Sequence, residues 1–487
     1  MAHEAVIGLE CHIQLSTRSK MFCDCPAEFG AAPNSNVCPV CLGLPGALPR
    51  TNQAAVESAL RLGASLGCRI QAESVFARKN YFYPDMPKNY QISQYDRPLC
   101  EGGALPVRFE NEVRRFELIR IHLEEDTGKS FHPEKLHDRR VSRVDFNRAG
   151  VPLLELVTQP VFRQPAECAT FLTALRRLVR WLGISDGDME KGHLRCDANV
   201  SLRPVGSERF GTKTEIKNLN SIKGVEKGLT AEIGRQRRLL EEGRVVEQAT
   251  MLYDADHDKL AMMRSKEHAH DYRYFPEPDL PRLRVETAWV ESVRAALPEM
   301  PWQAEERLAV GDGLGSYQAA VTTTDPEMLA LYDMVRKELS PATAANWIAS
   351  VLRGHMNRLG LTPAELIAKV PVRHQLVLLR RVESGQVTAT AAKGLLEDVL
   401  DRGGDPGALF ATGGAAISST DALRPLVRAV IEENPGPVKQ YLAGKTATLG
   451  FLVGQVMRKS EGQAVPQVVQ TLLREELGAR SGAEAGG

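Results

Sequence analysis

The 487-residue chain has no glycine-rich phosphate loop. Gly128-Lys129-Ser130 and Gly444-Lys445-Thr446 carry the end of such a motif, but neither has the glycine expected upstream. G-x-G-x-x-G is also missing, so a nucleotide, if one is used, is not held by a P-loop or a Rossmann turn. No serine–lysine or cysteine–histidine grouping announces a nucleophile. Net charge is lacking too: 61 basic residues balance 61 acidic ones, so any nucleic-acid contact must be local. No apolar run reaches the ~18 residues of a membrane span, and the N-terminus lacks a basic-then-apolar signal. A cytoplasmic protein without a membrane partner is expected. The 9 cysteines are an odd number, and four sit at metal-ligand spacing, which favours reduced thiols over a disulfide framework.

Against this background one stretch stands out. Residues 79 to 96 have no clean period of 2 or 3.6, so they are neither a core strand nor an amphipathic helix. Pro84 and Pro87 break the run into rigid turns. Tyr81, Tyr83, Tyr90, Tyr95 and Phe82 stand among Lys79, Lys88, Asn80, Asn89, Gln91 and Gln94. Aromatic faces, amide donors and lysines are the parts of a site that grips a nucleotide or phosphate. The plainer alternative is an aromatic surface loop with solvated lysines.

Several segments alternate as strands. In residues 6 to 15, Ile7, Leu9, Cys11, Ile13 and Leu15 take one face and Glu10, His12 and Gln14 the other. In residues 116 to 126, Glu125 follows Ile119, Ile121 and Leu123 on the apolar side, and Glu155 lies in phase with Leu153 and Val157. A carboxylate on a core-facing side needs a partner. One candidate is a cation: three carboxylates and an imidazole suit Mg²⁺ with waters completing its shell. The other is an arginine such as Arg120, Arg143 or Arg148. Residues 194 to 203 alternate most clearly, with Arg195, Asp197, Asn199, Ser201 and Arg203 on an unbroken polar face. Lys213, Glu215 and Lys217 line the next candidate strand. Such a face is either solvated or the floor of a binding cradle.

Cys23-Asp24-Cys25 and Cys38-Pro39-Val40-Cys41 are two close pairs of thiols. Together they can close a tetrahedral zinc site, which would be structural because no coordination position stays open.

The layout expected is α+β. Residues 1–292 mix short strands with a few helices; 171 to 182 carry an apolar helical stripe capped by Gly183. Residues 293–405 read as helical, with starts at Asp325-Pro326, Ser340-Pro341 and the capping box Thr362-Pro363-Ala364-Glu365. Residues 403 to 419 read as a Gly/Ala/Ser linker, 406–487 as a small helical tail, and the last ten residues as disordered. Val465, Val468, Val469, Leu472, Leu473 and Leu477 share one helical face of that tail.

Taken together, Val6-Ile7-Gly8-Leu9-Glu10, the run from Cys38 to Gly46, the Lys79 to Asp96 stretch, Leu123 to Lys129 and Asp145-Phe146-Asn147-Arg148 resemble one family. Leu194 to Pro204, Lys217 to Ser221, Asp271 to Pro276 and Gly450 to Gln455 extend the likeness over nearly the whole chain. The family is that of the B subunits of the bacterial aspartyl/glutamyl-tRNA(Asn/Gln) amidotransferases. The resemblance implies a mixed α/β cradle domain with a zinc knuckle, a helical domain and a helical tRNA-binding tail. It implies a ligase reaction: ATP and Mg²⁺ phosphorylate the side-chain carboxylate of Glu-tRNA(Gln) or Asp-tRNA(Asn), and ammonia displaces the phosphate. It also implies a heterotrimer, in which a glutamine-hydrolysing amidase is the A subunit and a small third protein the C subunit. The misacylated tRNA and the cognate aminoacyl-tRNA synthetase are further implied partners. By the same resemblance His12, Glu125 and Glu155, with Glu10, are carried over as Mg²⁺ ligands. Lys79, Tyr81 and Lys88 are assigned to the ATP or aminoacyl end, and Arg195, Asp197, Asn199, Lys213, Glu215 and Lys217 to the site wall. In the tail, Lys439, Lys445, Arg458 and Lys459 are candidate phosphate contacts. A non-enzymatic tRNA-binding scaffold that kept this fold is the rival expectation.

Overall fold

Ile7, Leu9, Cys11 and Ile13 are fully buried, and their alternation builds the long strand His3–Gln14. This strand lies near the middle of a ten-stranded sheet. On one side it pairs with Leu194–Pro204, followed by Thr214–Leu219, Ala249–Asp254 and Lys259–Ser265. On the other it pairs with Pro152–Thr158, followed by Glu112–Glu125, Cys100–Glu101 and Arg69–Ile70; Ala104–Phe109 also pairs with Glu112–Glu125. All pairings are antiparallel except that between Thr214–Leu219 and Ala249–Asp254. The computed structural model describes residues 2–110, 112–131, 142–255, 257–265, 271–417 and 419–484. The chain forms two compact units, Met1–Gln303 and Ala304–Gly487.

In the first unit, helices Pro165–Trp181 and Ile222–Glu241 bury Phe171, Leu172, Leu175, Leu178, Val179, Val225 and Leu229 in one cluster with the apolar sheet face. Each fully buried leucine of this kind contributes about 1.5–3 kcal/mol. The stripe expected at 171 to 182 is thus the inner face of a helix, and Gly183, at φ 64°, ends it. Because these helices occupy the apolar face, the polar face carrying Glu10 and His12 is left for a site. The run from 79 to 96 proves to be partly extended: Ala77–Asn80 and Tyr90–Ser93 pair as short strands, with Phe275–Pro276 on the outer edge. Pro84 and Pro87 lie in the irregular turn between them. Val293 and Met300 join the same core, which carries the unit past residue 292.

The second unit is helical. Pro326–Val335 and Pro341–Asn346 begin where the Asp-Pro and Ser-Pro pairs stand, and Thr362 and Glu365 form the expected capping box. Within the 403 to 419 stretch the structure differs from a plain linker. Asp405 caps a short helix, Pro406–Thr412, by accepting from the Gly407 N–H at 3.0 Å, and Phe410 is fully buried. The tail has its own cluster, in which Leu423, Val427, Leu452, Val456, Val469, Leu472, Leu473 and Leu477 are buried. Its last helix, Pro466–Glu484, runs on through Gly478, so most of the segment expected to be disordered is helical; 485–487 lie outside the described residues. Ala416 and Ile417 donate to the Gln386 and Gln463 carbonyls, which ties the tail to the helices before it.

Candidate functional site

Strand register sets the site. His12 lies opposite Glu155 on one side and Arg195 on the other, and Glu155 lies opposite His122. Paired residues in an antiparallel sheet share a face, so His122, Glu155, His12 and Arg195 form a row across four strands. Glu10, two residues from His12, lies opposite Asp197 in the next row. Glu124 is two residues beyond His122 on the same face. The ligand atoms of His12, Glu124 and Glu155 all come within 4.8 Å of one another. His12 Nε2 is 3.7 Å from Glu124 and 3.6 Å from Glu155, and His122 Nε2 is 3.4 Å from Glu155.

Two carboxylates this close and this buried demand positive charge. Burial works against a charged His12, but the close approach of Glu155 and the charges of Glu155 and Glu124 raise its pKa to about 9. Burial likewise opposes charge on Glu155, yet His122 and His12 outweigh it and hold that carboxyl well below its ordinary value. Glu124 is pushed up, by burial first and by the Glu155 charge second. Glu10 rises for the same reasons, with burial again the largest cause, then Glu155, Asp197 and Glu215. This donor set of carboxylate oxygens and one imidazole fits a divalent cation, which would neutralise what a single imidazolium only partly offsets.

Glu125 turns elsewhere. It forms a buried ion pair with Lys88 and accepts from the Ile92 backbone N–H at 2.9 Å. It borders a cavity of about 190 Å³ shared with Lys88, Tyr90, Phe22 and Cys41. The apolar-side phase expected for Glu125 is right, since Ile121 and Leu123 are fully buried, but its charge is met by a lysine. Glu155, read as core-facing, instead shares the face of His12. The strand shifts register near Thr158, which leaves Ile119 exposed and places His122 and Glu124 on the site face.

Lys79 stands beside the acidic cluster, between Tyr81 and Tyr272, with Nζ 5.8 and 5.0 Å from the ring centres. Tyr95 stacks on Tyr274 at 4.1 Å, and Tyr274 meets Tyr272 edge-on at 6.2 Å. Burial and the nearby Glu124 push both Tyr81 and Tyr274 up, so their hydroxyls stay protonated as donors. Asp126, next to the cluster, takes a 2.7 Å hydrogen bond from Arg195 and has Arg148 3.6 Å away. Burial favours its neutral form, but the two guanidiniums prevail and lower its pKa. Along the wall, Asn199 donates to Glu10 at 2.9 Å, and Lys217 bridges Asp197 and Glu215, the latter at 3.1 Å. Lys213 is set apart from that bridge, lining a second cavity with Glu10, Asn199, Pro160 and Phe210. Glu124, His122, Asp126, Tyr272 and Tyr274 are therefore additions to the residues expected. Strand phase could have flagged Glu124 and His122; the tyrosines come from a distant segment and could not be placed by period.

The four cysteines of the knuckle also converge, with every pair of sulfurs within 4.8 Å. A tetrahedron with Zn–S bonds of ~2.3 Å has edges of ~3.8 Å; Cys38 and Cys41 are 3.9 Å apart. The adjacent Cys23 thiol pulls the Cys41 thiol below its ordinary value against its burial, helped by the Cys38 backbone and Lys20. The cluster thus fits zinc. All 9 cysteines are free thiols. In the tail, Lys439, Lys445 and Arg458 are exposed, while Lys459 pairs with Glu433. No helix among the described residues is long and apolar enough to cross a membrane.

The family described as the GatB/GatE catalytic domain matches residues 5–291, and the one described as the GatB domain matches residues 330–477. Curated relatives span the chain. A protein of Carboxydothermus hydrogenoformans is 44% identical over 98% of this chain and 99% of its own length. One from Anaeromyxobacter dehalogenans is 46% identical over 98% and 99%, and one from Chlorobium chlorochromatii 45% over 98% and 100%. Each is named as the B subunit of an aspartyl/glutamyl-tRNA(Asn/Gln) amidotransferase. On a sheet face that gathers His12, Glu124 and Glu155, beside a four-cysteine knuckle, these matches show that the chain belongs to the GatB family, that of the amidotransferase B subunits.

Proposed function

We propose that this chain activates the side-chain carboxylate of Glu-tRNA(Gln) or Asp-tRNA(Asn) for amidation in the cytoplasm. The observation that carries the reading is the convergence of His12, Glu124 and Glu155 beside Lys79 and its tyrosines. A carboxylate is a poor electrophile. Its oxygen attacks the γ-phosphorus of ATP, the bond to ADP breaks, and an acyl phosphate forms. Ammonia then attacks the acyl carbon, phosphate leaves with the bonding electrons, and nitrogen loses a proton.

Phosphoryl transfer is mostly positioning and charge neutralisation. Mg²⁺, held by His12, Glu124 and Glu155 with Glu10 close by, would supply charge neutralisation at the phosphates. Lys79 offers an ammonium, and Tyr81 and Tyr274 offer hydroxyl donors near the same face. Arg195, fixed by Asp126, sets the side of the row next to His12. The wall of Asp197, Asn199, Lys213, Glu215 and Lys217 would receive the aminoacyl or nucleotide end. Ammonia would come from the amidase of the complex, its A subunit. The small C subunit would complete the heterotrimer, and the cognate synthetase would supply the charged tRNA. Residues 406–487 would act as a tail domain, holding tRNA through Lys439, Lys445, Arg458 and Lys459.

Reconstitution tests the reading. The purified chain with its two partner proteins is given mischarged Glu-tRNA or Asp-tRNA, glutamine and Mg-ATP. Amidated aminoacyl-tRNA that depends on ATP is expected. Tight tRNA binding with no ATP consumption and no product would instead make the chain a scaffold.

A further inference from the structure

Lys20 has no exposed surface. Lysine is almost never fully buried unless paired, because taking an ammonium out of water is costly. Among the described residues no carboxylate pairs with it. Its Nζ instead lies 3.6 Å from Cys41 Sγ and 3.3 Å from the Phe146 carbonyl oxygen. Four thiolates around Zn²⁺ leave a net charge of −2 by simple addition, and a buried cation against one sulfur offsets half of it. Lys20 is also built into the knuckle by its backbone: its N–H donates to the Cys25 carbonyl at 3.0 Å, and its own carbonyl accepts from Asn52 at 3.1 Å.

The same side chain packs against Gly150. Gly150 sits at φ +88° against it, where a Cβ would come within 3.4 Å of both Lys20 Cδ and Cys41 Cβ. The Gly150 carbonyl accepts from Met21 N–H at 2.7 Å, and its N–H donates to the Asp126 carbonyl at 2.9 Å. Asp126 in turn fixes Arg195. The 145–150 segment thus contacts the knuckle through Phe146 and Gly150, and Asp126 through Gly150 and Arg148.

We propose that Lys20 is the built-in counter-cation of the four-cysteine zinc centre and a positioning residue that secures the 145–150 segment to it. The assignment is independent of what the acidic cluster does. Its test compares Lys20→Met, which keeps the packing and removes the charge, with Lys20→Arg, which keeps a charge, in the full-length chain. Zn²⁺ is titrated against a chromophoric chelator, and amide exchange is followed over 145–150. Loss of a second-sphere partner costs about 10- to 100-fold in metal affinity, so Lys20→Met is expected to weaken zinc by about that factor. Lys20→Arg is expected to stay within about threefold of wild type. Exchange over 145–150 should speed up in the Met variant with zinc still bound at saturation. Zinc affinity of Lys20→Met within about threefold of wild type, or equal losses in both variants, would overturn the proposal. Should Lys20→Met fail to fold, acetylation of the wild-type chain decides. Lys20 should be protected with zinc and labelled once zinc is stripped, and equal protection in both states would overturn the assignment.

Discussion

Glu124 and Glu125 are adjacent and equally buried, yet Glu124 faces His12 and Glu155 while Glu125 closes on Lys88. Strand alternation separates them by sending neighbouring side chains to opposite faces. Removing one partner of a buried pair leaves a charge without compensation, which costs about 3–5 kcal/mol. Lys88→Met should therefore lower stability toward urea by about that amount, and the double variant Lys88→Met/Glu125→Gln should recover much of it. A single variant as stable as wild type would mean that the pair carries no such load. Here the sequence was legible up to a point. It showed that a carboxylate on the apolar side needs a partner, and that Glu10 and His12 project together. It left a metal or an arginine as that partner and did not reach Lys88, which the 79–96 hairpin brings in, because the choice depends on which strands meet.

Among the elements, capping signals were the most readable. Asp325-Pro326, Ser340-Pro341 and the Thr362–Glu365 box all start helices as their chemistry dictates. Asp405-Pro406 carries the same signal but sits within a Gly- and Ala-rich stretch, whose composition obscured it. Asp405→Ala should cost about 1 kcal/mol, read as a lower denaturation midpoint for the second unit. An unchanged midpoint would show that Phe410, not the cap, holds that helix.

In the tail, Glu476 accepts from Arg424 at 2.6 Å and Arg428 at 2.9 Å. Those hydrogen bonds lower its carboxyl below the ordinary value of 4.5. A group whose folded pKa is depressed adds stability above its unfolded pKa and loses it as pH falls through the folded one. The tail should therefore lose part of its stability below pH 4.5, and Glu476→Gln should flatten that fall. A variant with the same acid profile as wild type would assign the loss to other carboxylates.

At the scale of the whole molecule, the four-cysteine knuckle belongs to the first unit alone. Stripping zinc should raise amide exchange around residues 20–46 and 145–150 and leave the helices of the second unit unchanged. Increased exchange in the tail would contradict that division. Sequence periodicity anticipated the α+β organisation and five of the ten strands of the sheet. The packing of Val293 and Met300 onto the first core involves contacts that periodicity cannot show.

On the proposed reading, Glu124, with His12 and Glu155, holds the activating cation, while Glu125 serves the lysine pair. Glu124→Gln and Glu125→Gln, each assembled with the partner proteins, are compared for ATP-dependent formation of amidated aminoacyl-tRNA at saturating tRNA and across a Mg²⁺ titration. A loss of about 10²-fold or more in kcat is expected for Glu124→Gln with tRNA affinity intact. For Glu125→Gln an unchanged Mg²⁺ requirement is expected. A Glu124→Gln enzyme with wild-type kcat and Mg²⁺ dependence, or a shifted Mg²⁺ requirement in Glu125→Gln alone, would contradict this reading.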